Sequence, residues 1–381
     1  MRFWAATGTI SLACLTLSGC GQEAPPQPSQ EEQETRAIMG RIYDAIRVAL
    51  PASADPEGLA RPERAAEISA ALDALADNAS LLQTHVGGEE RQMQFLARGI
   101  ARDARDVRRA WQEGHHPRAA FLLRQITENC VVCHTRLPSD DSPVAQGFFQ
   151  AGELDELPEE PKASLLIATR RFDEALATLE SLLASSEHPA LLLGPLTDYL
   201  VVSIRVKRDF ERPAATLRRF AERADLWPEL RADVETWLAA LPGLAARASG
   251  APDLETGRAL FEAGVALGEL PEDKRGLVHF ITASSVLQRF LPTDPPPEAL
   301  GEAYYILGMI EARIGRNYWV TPAPFFLEES IRLAPKQPFA ADAFARLERE
   351  LLSAYEGADR EELPPEEAAR LQELRSLVRG E

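Results

Sequence analysis

The chain has 381 residues, 45% of them hydrophobic and 26% charged, enough for more than one buried core and ordinary for a folded soluble protein. Lys and Arg number 41 against 59 Asp and Glu, a formal net charge of −18. That balance argues against non-specific nucleic-acid binding, which needs a basic surface, and is compatible with a partner carrying a basic patch.

The N-terminal segment reads as an export signal. Arg2 supplies a positive charge, and Phe3 to Leu17 form an apolar run too short for a comfortable membrane span. The run ends in Leu17-Ser18-Gly19-Cys20, which resembles a bacterial lipobox. The resemblance implies removal of residues 1–19 and lipidation of Cys20. Because Gly21 and not Asp follows, it also implies an outer-membrane address facing the periplasm. Residues 20–34 are rich in Gln, Glu and Pro, the composition of a disordered tether.

Residues 35–142 carry four helical patterns. Thr35 to Leu50 repeats Ile38, Met39, Ile42, Ile46 and Leu50 at helical spacing. Pro62 to His85 begins with a proline suited to a first turn and carries Ile68, Leu72, Leu75 and Leu82. Gly87-Gly88 breaks the chain. Glu89 to Glu113 follows, with Met93, Leu96, Ile100, Val107 and Trp111 as its stripe. Arg98, Arg102, Arg105, Arg108 and Arg109 alternate there with Asp103 and Asp106, a solvated face with local ion pairs. Gly114-His115-His116-Pro117 is a turn, and the fourth helix runs from Pro117 to about Arg136. Short links between four helices imply an up-down-up-down arrangement.

The fourth helix ends in Cys130-Val131-Val132-Cys133-His134. C-x-x-C-H is the attachment signature of c-type haem. Positions i, i+3 and i+4 share one helix face, so two thiols and an imidazole can meet one flat ligand. The competing readings are a disulfide and half of a metal site. Of the four cysteines, Cys14 lies in the removed segment and Cys20 is taken by lipid, which leaves Cys130 and Cys133 in the folded body. A zinc site needs further good ligands, and there is no second C-x-x-C to supply them. A thioredoxin-like pair needs an α/β context. One covalent haem c, with His134 as the proximal iron ligand, fits these residues and the exported address.

The motif and its place at the end of a fourth helix make residues 35–142 resemble cytochrome c prime and its low-spin relatives, which are antiparallel four-helix bundles. A compact class I cytochrome c has its motif near its own N-terminus, followed by a loop with a Met ligand. Here no Met follows His134 until Met309. In an antiparallel bundle the fourth helix ends beside Met39, His85 and Met93, so these are the candidate distal ligands. His115 and His116 lie at the far end, on the order of 20 Å or more away at 1.5 Å per residue. The resemblance favours Met39 and offers Arg36 as a haem-propionate partner. A five-coordinate iron is the alternative, as are His85 and Met93.

After a linker at 143–160, residues 161–381 remain helical in pattern. Arg171-Phe172-Asp173-Glu174-Ala175-Leu176-Ala177-Thr178-Leu179 recurs in weak form as Asp209-Phe210-Glu211-Arg212-Pro213-Ala214-Ala215-Thr216-Leu217, an offset of 38 residues. That period points to helical hairpins. Ala303 to Gly308, Gly315 and Phe325 to Pro335 resemble a degenerate tetratricopeptide repeat, with a turn at Asn317 to Pro324 longer than that pattern allows. Leu260 to Gly268 with Gly276 to Phe290 reads as a further pair, and Pro338 to Tyr355 and Pro364 to Val378 as closing helices. Such hairpins stack into an α-solenoid whose concave face binds protein segments. His188 and His279 are isolated and read as packed or surface histidines.

The expectation is an all-α chain, a haem-bearing four-helix bundle followed by a TPR-like α-solenoid. It is anchored to the membrane by lipid and passes electrons to or from an unidentified redox partner protein. The rival readings are a haem-based NO or CO binding or sensing module and a scaffold lipoprotein with structural haem. An enzyme is not expected, because a haem peroxidase needs a distal acid/base and only His85 is a candidate.

Overall fold

The computed structural model describes residues 29–53, 57–86, 91–135, 154, 157–185, 191–268, 270, 273–315, 322–355 and 363–380. Cys14, Cys20, His188, Gly87-Gly88 and most of the Asn317–Pro324 turn lie outside them. The described residues form fifteen α-helices with short 3₁₀ turns and no strand. The fold is all-α.

The first four helices are α1 (Gln30–Ser53), α2 (Ala65–His85), α3 (Arg91–Gln112) and α4 (His116–His134). Helix α1 starts five residues before the expected Thr35, inside the stretch read as tether. The reason is local. Glu32 donates its backbone N–H to Ser29 Oγ at 3.2 Å, and Ser29 donates its own to Glu32 Oε2 at 2.6 Å. This reciprocal Ser-x-x-Glu capping box satisfies two backbone donors at the new N-terminus. Pro62 heads a 3₁₀ turn and α2 begins just after it.

Helix α1 packs on α2, α2 on α3, α3 on α4, and α4 returns to α1. The shared core is aliphatic, with Ile46, Leu50, Ile68, Leu72, Leu75, Leu123 and Ile126 all buried. The charged stripe of α3 is paired locally as expected. Arg102 meets Asp103 at 2.9 Å, Arg109 meets Asp106 at 2.6 Å, and Arg108 reaches Asp77 on α2 at 3.1 Å.

Eleven further helices follow: α5 (Glu159–Ala168), α6 (Phe172–Ser185), α7 (Leu193–Leu200), α8 (Glu211–Ala221), α9 (Pro228–Ala248), α10 (Leu254–Leu267), α11 (Leu277–Phe290), α12 (Pro297–Ile314), α13 (Ala323–Leu333), α14 (Phe339–Tyr355) and α15 (Pro365–Arg379). A π-helical turn, Val201–Val206, extends α7. Neighbours pair as α5 with α6, α10 with α11, and α12 with α13. Alternate helices also touch: α6 with α8, α10 with α12, α12 with α14, and α13 with α15.

The weak internal repeat has a structural counterpart. Each copy leads into a helix, α6 or α8, and is immediately preceded by an arginine with left-handed backbone: Arg170 at φ 57° and Arg208 at φ 53°. At Arg170 the turn is a Schellman motif. The N–H of Arg171 bonds Leu166 O at 2.8 Å and that of Arg170 bonds Ile167 O at 2.9 Å.

Polar clasps tie the hairpins together. Glu180 on α6 accepts from the Tyr199 hydroxyl at 2.9 Å and from Arg212 Nε at 2.7 Å, while Tyr199 and Thr216 Oγ1 lie 2.9 Å apart. One carboxylate thus joins α6, α7 and α8. Trp237 is wholly buried and donates its indole N–H to Lys274 O at 2.8 Å. Arg205 Nη2 meets Glu311 Oε1 at 2.9 Å, with both side chains at 3% exposure or less.

Among the described residues the later helices touch the first four through α5 and through α13. Helix α5 packs on α4. Arg91 on α3 pairs with Glu329 on α13 at 2.7 Å, and the rings of Phe95 and Phe325 lie 5.5 Å apart.

Removing one partner of a buried ion pair strands the other charge. Glu311→Ala should therefore lower unfolding free energy in urea by about 3–5 kcal/mol. The double variant Arg205→Met/Glu311→Leu should recover most of that loss.

Candidate functional site

An apolar cavity of about 210 Å³ lies where α1 begins, α2 ends, α3 begins and α4 ends. That is more than an order of magnitude beyond the space one buried water needs. Its lining alternates between helix starts (Thr35, Met39; Met93, Leu96) and helix ends (Leu82; Cys130, Cys133, His134), so successive helices run in opposite directions.

Cys130, Cys133 and His134 all line this cavity from the last two turns of α4. The helix continues through the motif because Thr135 closes it, its N–H on Val131 O at 3.0 Å and its hydroxyl on the same carbonyl at 2.7 Å. Both thiols are free of disulfide. Burial pushes the Cys130 thiol up to about 12, and the neighbouring Cys133 adds to the shift. Cys130 Sγ lies 3.7 Å from Ile126 O.

His134 is half-buried because part of its ring faces the cavity, yet its Nδ1 is enclosed without a hydrogen-bond partner. Burial, and to a lesser extent the nearby charge of Arg170, lower its basicity to about 3. The imidazole is therefore neutral and able to donate a lone pair at any ordinary pH.

Met39 from α1 and Met93 from α3 both line the cavity. His85 does not. Its Nε2 lies 2.9 Å from Thr35 Oγ1 and its Nδ1 3.8 Å from Glu34, so the ring is spent on the start of α1. Arg36 is half-buried but is not part of the lining. His115 is exposed, and His116 stacks edge-on against Trp111 at 6.1 Å, both at the opposite end of α4. His279 is a half-buried histidine on α11, lowered in basicity by burial.

Four lining residues come from outside residues 35–142: Leu165, Ala168, Thr169 and Arg170, from the end of α5 and its turn. Tyr43 and Asn129 also line it, and Asn129 is held by donating Nδ2 to Asp103 Oδ2 at 2.9 Å. Tyr43 and Asn129 could have been found as helical neighbours of Met39 and Cys133. Nothing in the local pattern marks α5.

The donor set suits a haem. Two thiols at i and i+3 and an imidazole at i+4 share one wall, thioether sulfurs stand on two other helices, and Ile42, Ile46, Leu82, Leu96, Ile100 and Leu165 supply apolar surface. Among the described residues the lining holds no carboxylate and no second histidine, so a bare metal ion would find few ligands among them.

No protein-family model, no curated protein and no solved structure matches the chain.

The depressed basicity of His134 predicts a pH dependence. The unfolded imidazole titrates near 6.5 and the folded one near 3, so between those values the unfolded chain binds more protons. Without an attached group the chain should be fully stabilised by this residue above about pH 6.5 and lose up to about 1.4 kcal/mol per pH unit on acidification. Urea unfolding from pH 7 to 4 checks this, and His134→Gln should flatten the slope.

Proposed function

We propose that the chain is a monohaem c-type cytochrome of the bacterial cell envelope that carries electrons and is not itself an enzyme. One observation carries the reading: Cys130, Cys133 and His134 face the same apolar cavity as Met39. Cys130 and Cys133 would hold the haem through two thioether bonds, and His134 would be the proximal ligand. Bound haem supplies a one-electron iron couple. Met39 would be the distal ligand, with Met93 as the competing thioether. The apolar walls exclude water and keep His134 neutral. The alternation of helix starts and ends around the cavity supports an antiparallel four-helix bundle similar to cytochrome c prime.

The stacked hairpins of α5–α15 support a TPR-like α-solenoid, whose concave face we assign to docking a protein partner. Among the described residues no helix is long and apolar enough to cross a membrane. Attachment is assigned to lipid on Cys20, with the protein facing the periplasm from the outer membrane.

The test is the full chain matured in a periplasm able to attach haem. The expected product carries one haem that survives denaturation, and Cys130→Ala/Cys133→Ala carries none. The reduced spectrum should be low-spin and unchanged by CO, whereas Met39→Ala should shift completely with CO. A CO shift in the unaltered protein favours gas binding over electron transfer. A CO-inert Met39→Ala with a CO-reactive Met93→Ala moves the distal role to Met93. Absence of covalent haem removes the reading.

A further inference from the structure

The cavity is completed from outside the four-helix unit, by Leu165, Ala168, Thr169 and Arg170. Among the described residues that line it, Arg170 is the one with a permanent charge. We propose that Arg170 is a positioning residue of this site, its guanidinium pairing with a propionate carboxylate of the bound haem. The inference rests on the haem reading above.

Three observations support it. The first is the cavity's composition. A haem is an apolar plate with two carboxylates, and the lining supplies abundant apolar surface but little polar company for an anion. The planar fork of an arginine matches a carboxylate in shape and charge.

The second is the local field. Helices α4 and α5 both end at the cavity, at His134 and Ala168, and helix C-termini carry partial negative charge. A carboxylate brought to that end needs a cation to offset them. Arg36, the partner suggested by resemblance, does not line the cavity.

The third is how firmly Arg170 is placed. The Schellman bonds of Arg170 and Arg171 fix the turn, and Thr169 Oγ1 adds a bond to Leu165 O at 2.8 Å. Arg208 shows that the left-handed backbone is not itself the mark of a site. It holds the same conformation at the matching position of the repeat, outside the cavity lining. The repeat dictates the backbone, and the packing of α5 on α4 turns one copy's arginine towards the haem site.

The experiment compares the full, haem-matured chain with R170Q, R170K and R170G. Haem attachment is read from the denatured pyridine haemochrome spectrum, midpoint potential is titrated across pH, and thermal unfolding is followed. Losing the cation exposes the iron to an unpaired carboxylate, which favours the oxidised form. R170Q and R170G should therefore lower the potential, by about tenfold in the one-electron equilibrium constant or about 59 mV. The ionisation seen in the potential's pH profile should move to higher pH. R170K should fall between these and the unaltered chain. R170G relieves the left-handed backbone, so its thermal midpoint should equal or exceed the original. That separates loss of charge from loss of fold.

Full haem content with unchanged potential and pH profile in both R170Q and R170G would overturn the inference and leave Arg170 a helix cap. Absence of covalent haem in the unaltered chain is a different result. It overturns the haem reading, and the Arg170 inference with it.

Discussion

Four helix ends meet around an apolar hollow instead of closing on one another, and the organisation of the first region depends on that choice. Protein interiors are close-packed, so side chains that border an unfilled apolar hollow forfeit packing contacts on that side. The walls are nevertheless built from Ile42, Ile46, Leu82, Leu96 and Ile100, the same kind of side chain that fills the rest of the core. The difference is geometric. These residues stop at the edge of a space into which two thiols and an imidazole project. A group that bonds to the thiols would replace the missing packing contacts, and its covalent attachment would keep them in place.

The same hollow gives the later helices a structural task. Helix α5 lies on α4 and closes a side that four helices alone leave open. Its position is secured further along the chain. Glu180 gathers α6, α7 and α8, and the Arg205–Glu311 pair joins the end of the π-helical turn to α12. Helix α13 then returns to α3 through Arg91–Glu329 and the Phe95–Phe325 ring contact, close in sequence to cavity-lining Met93. Among the described residues the later helices thus reach the first four both through α5 and through α13.

The helices themselves were largely legible in sequence. Apolar residues at helical spacing, Pro62 and Pro117 near helix starts and the Gly114 turn placed α2, α3 and α4 within a few residues, because periodicity and backbone chemistry are local properties. The early start of α1 was also written locally, in Ser29 and Glu32, but a polar, glutamine-rich context masked it. The internal repeat appeared as a faint echo of Phe, Ala, Thr and Leu. Its most regular feature, an arginine in left-handed conformation before each second helix, departs from the glycine that such turns usually carry.

By itself the sequence determined that the chain is helical, and it placed two thiols and an imidazole on one face of a helix end. Both follow from spacing along a single helix. Which groups share the space in front of that face was decided only by the tertiary structure. Packing brought Met39 and Met93 to the cavity and committed His85 to Thr35. It set Arg36 apart from the lining and carried Arg170 in from beyond position 160. The motif from Cys130 to His134 thus specifies one wall of the site, and the opposite walls depend on how distant helices pack.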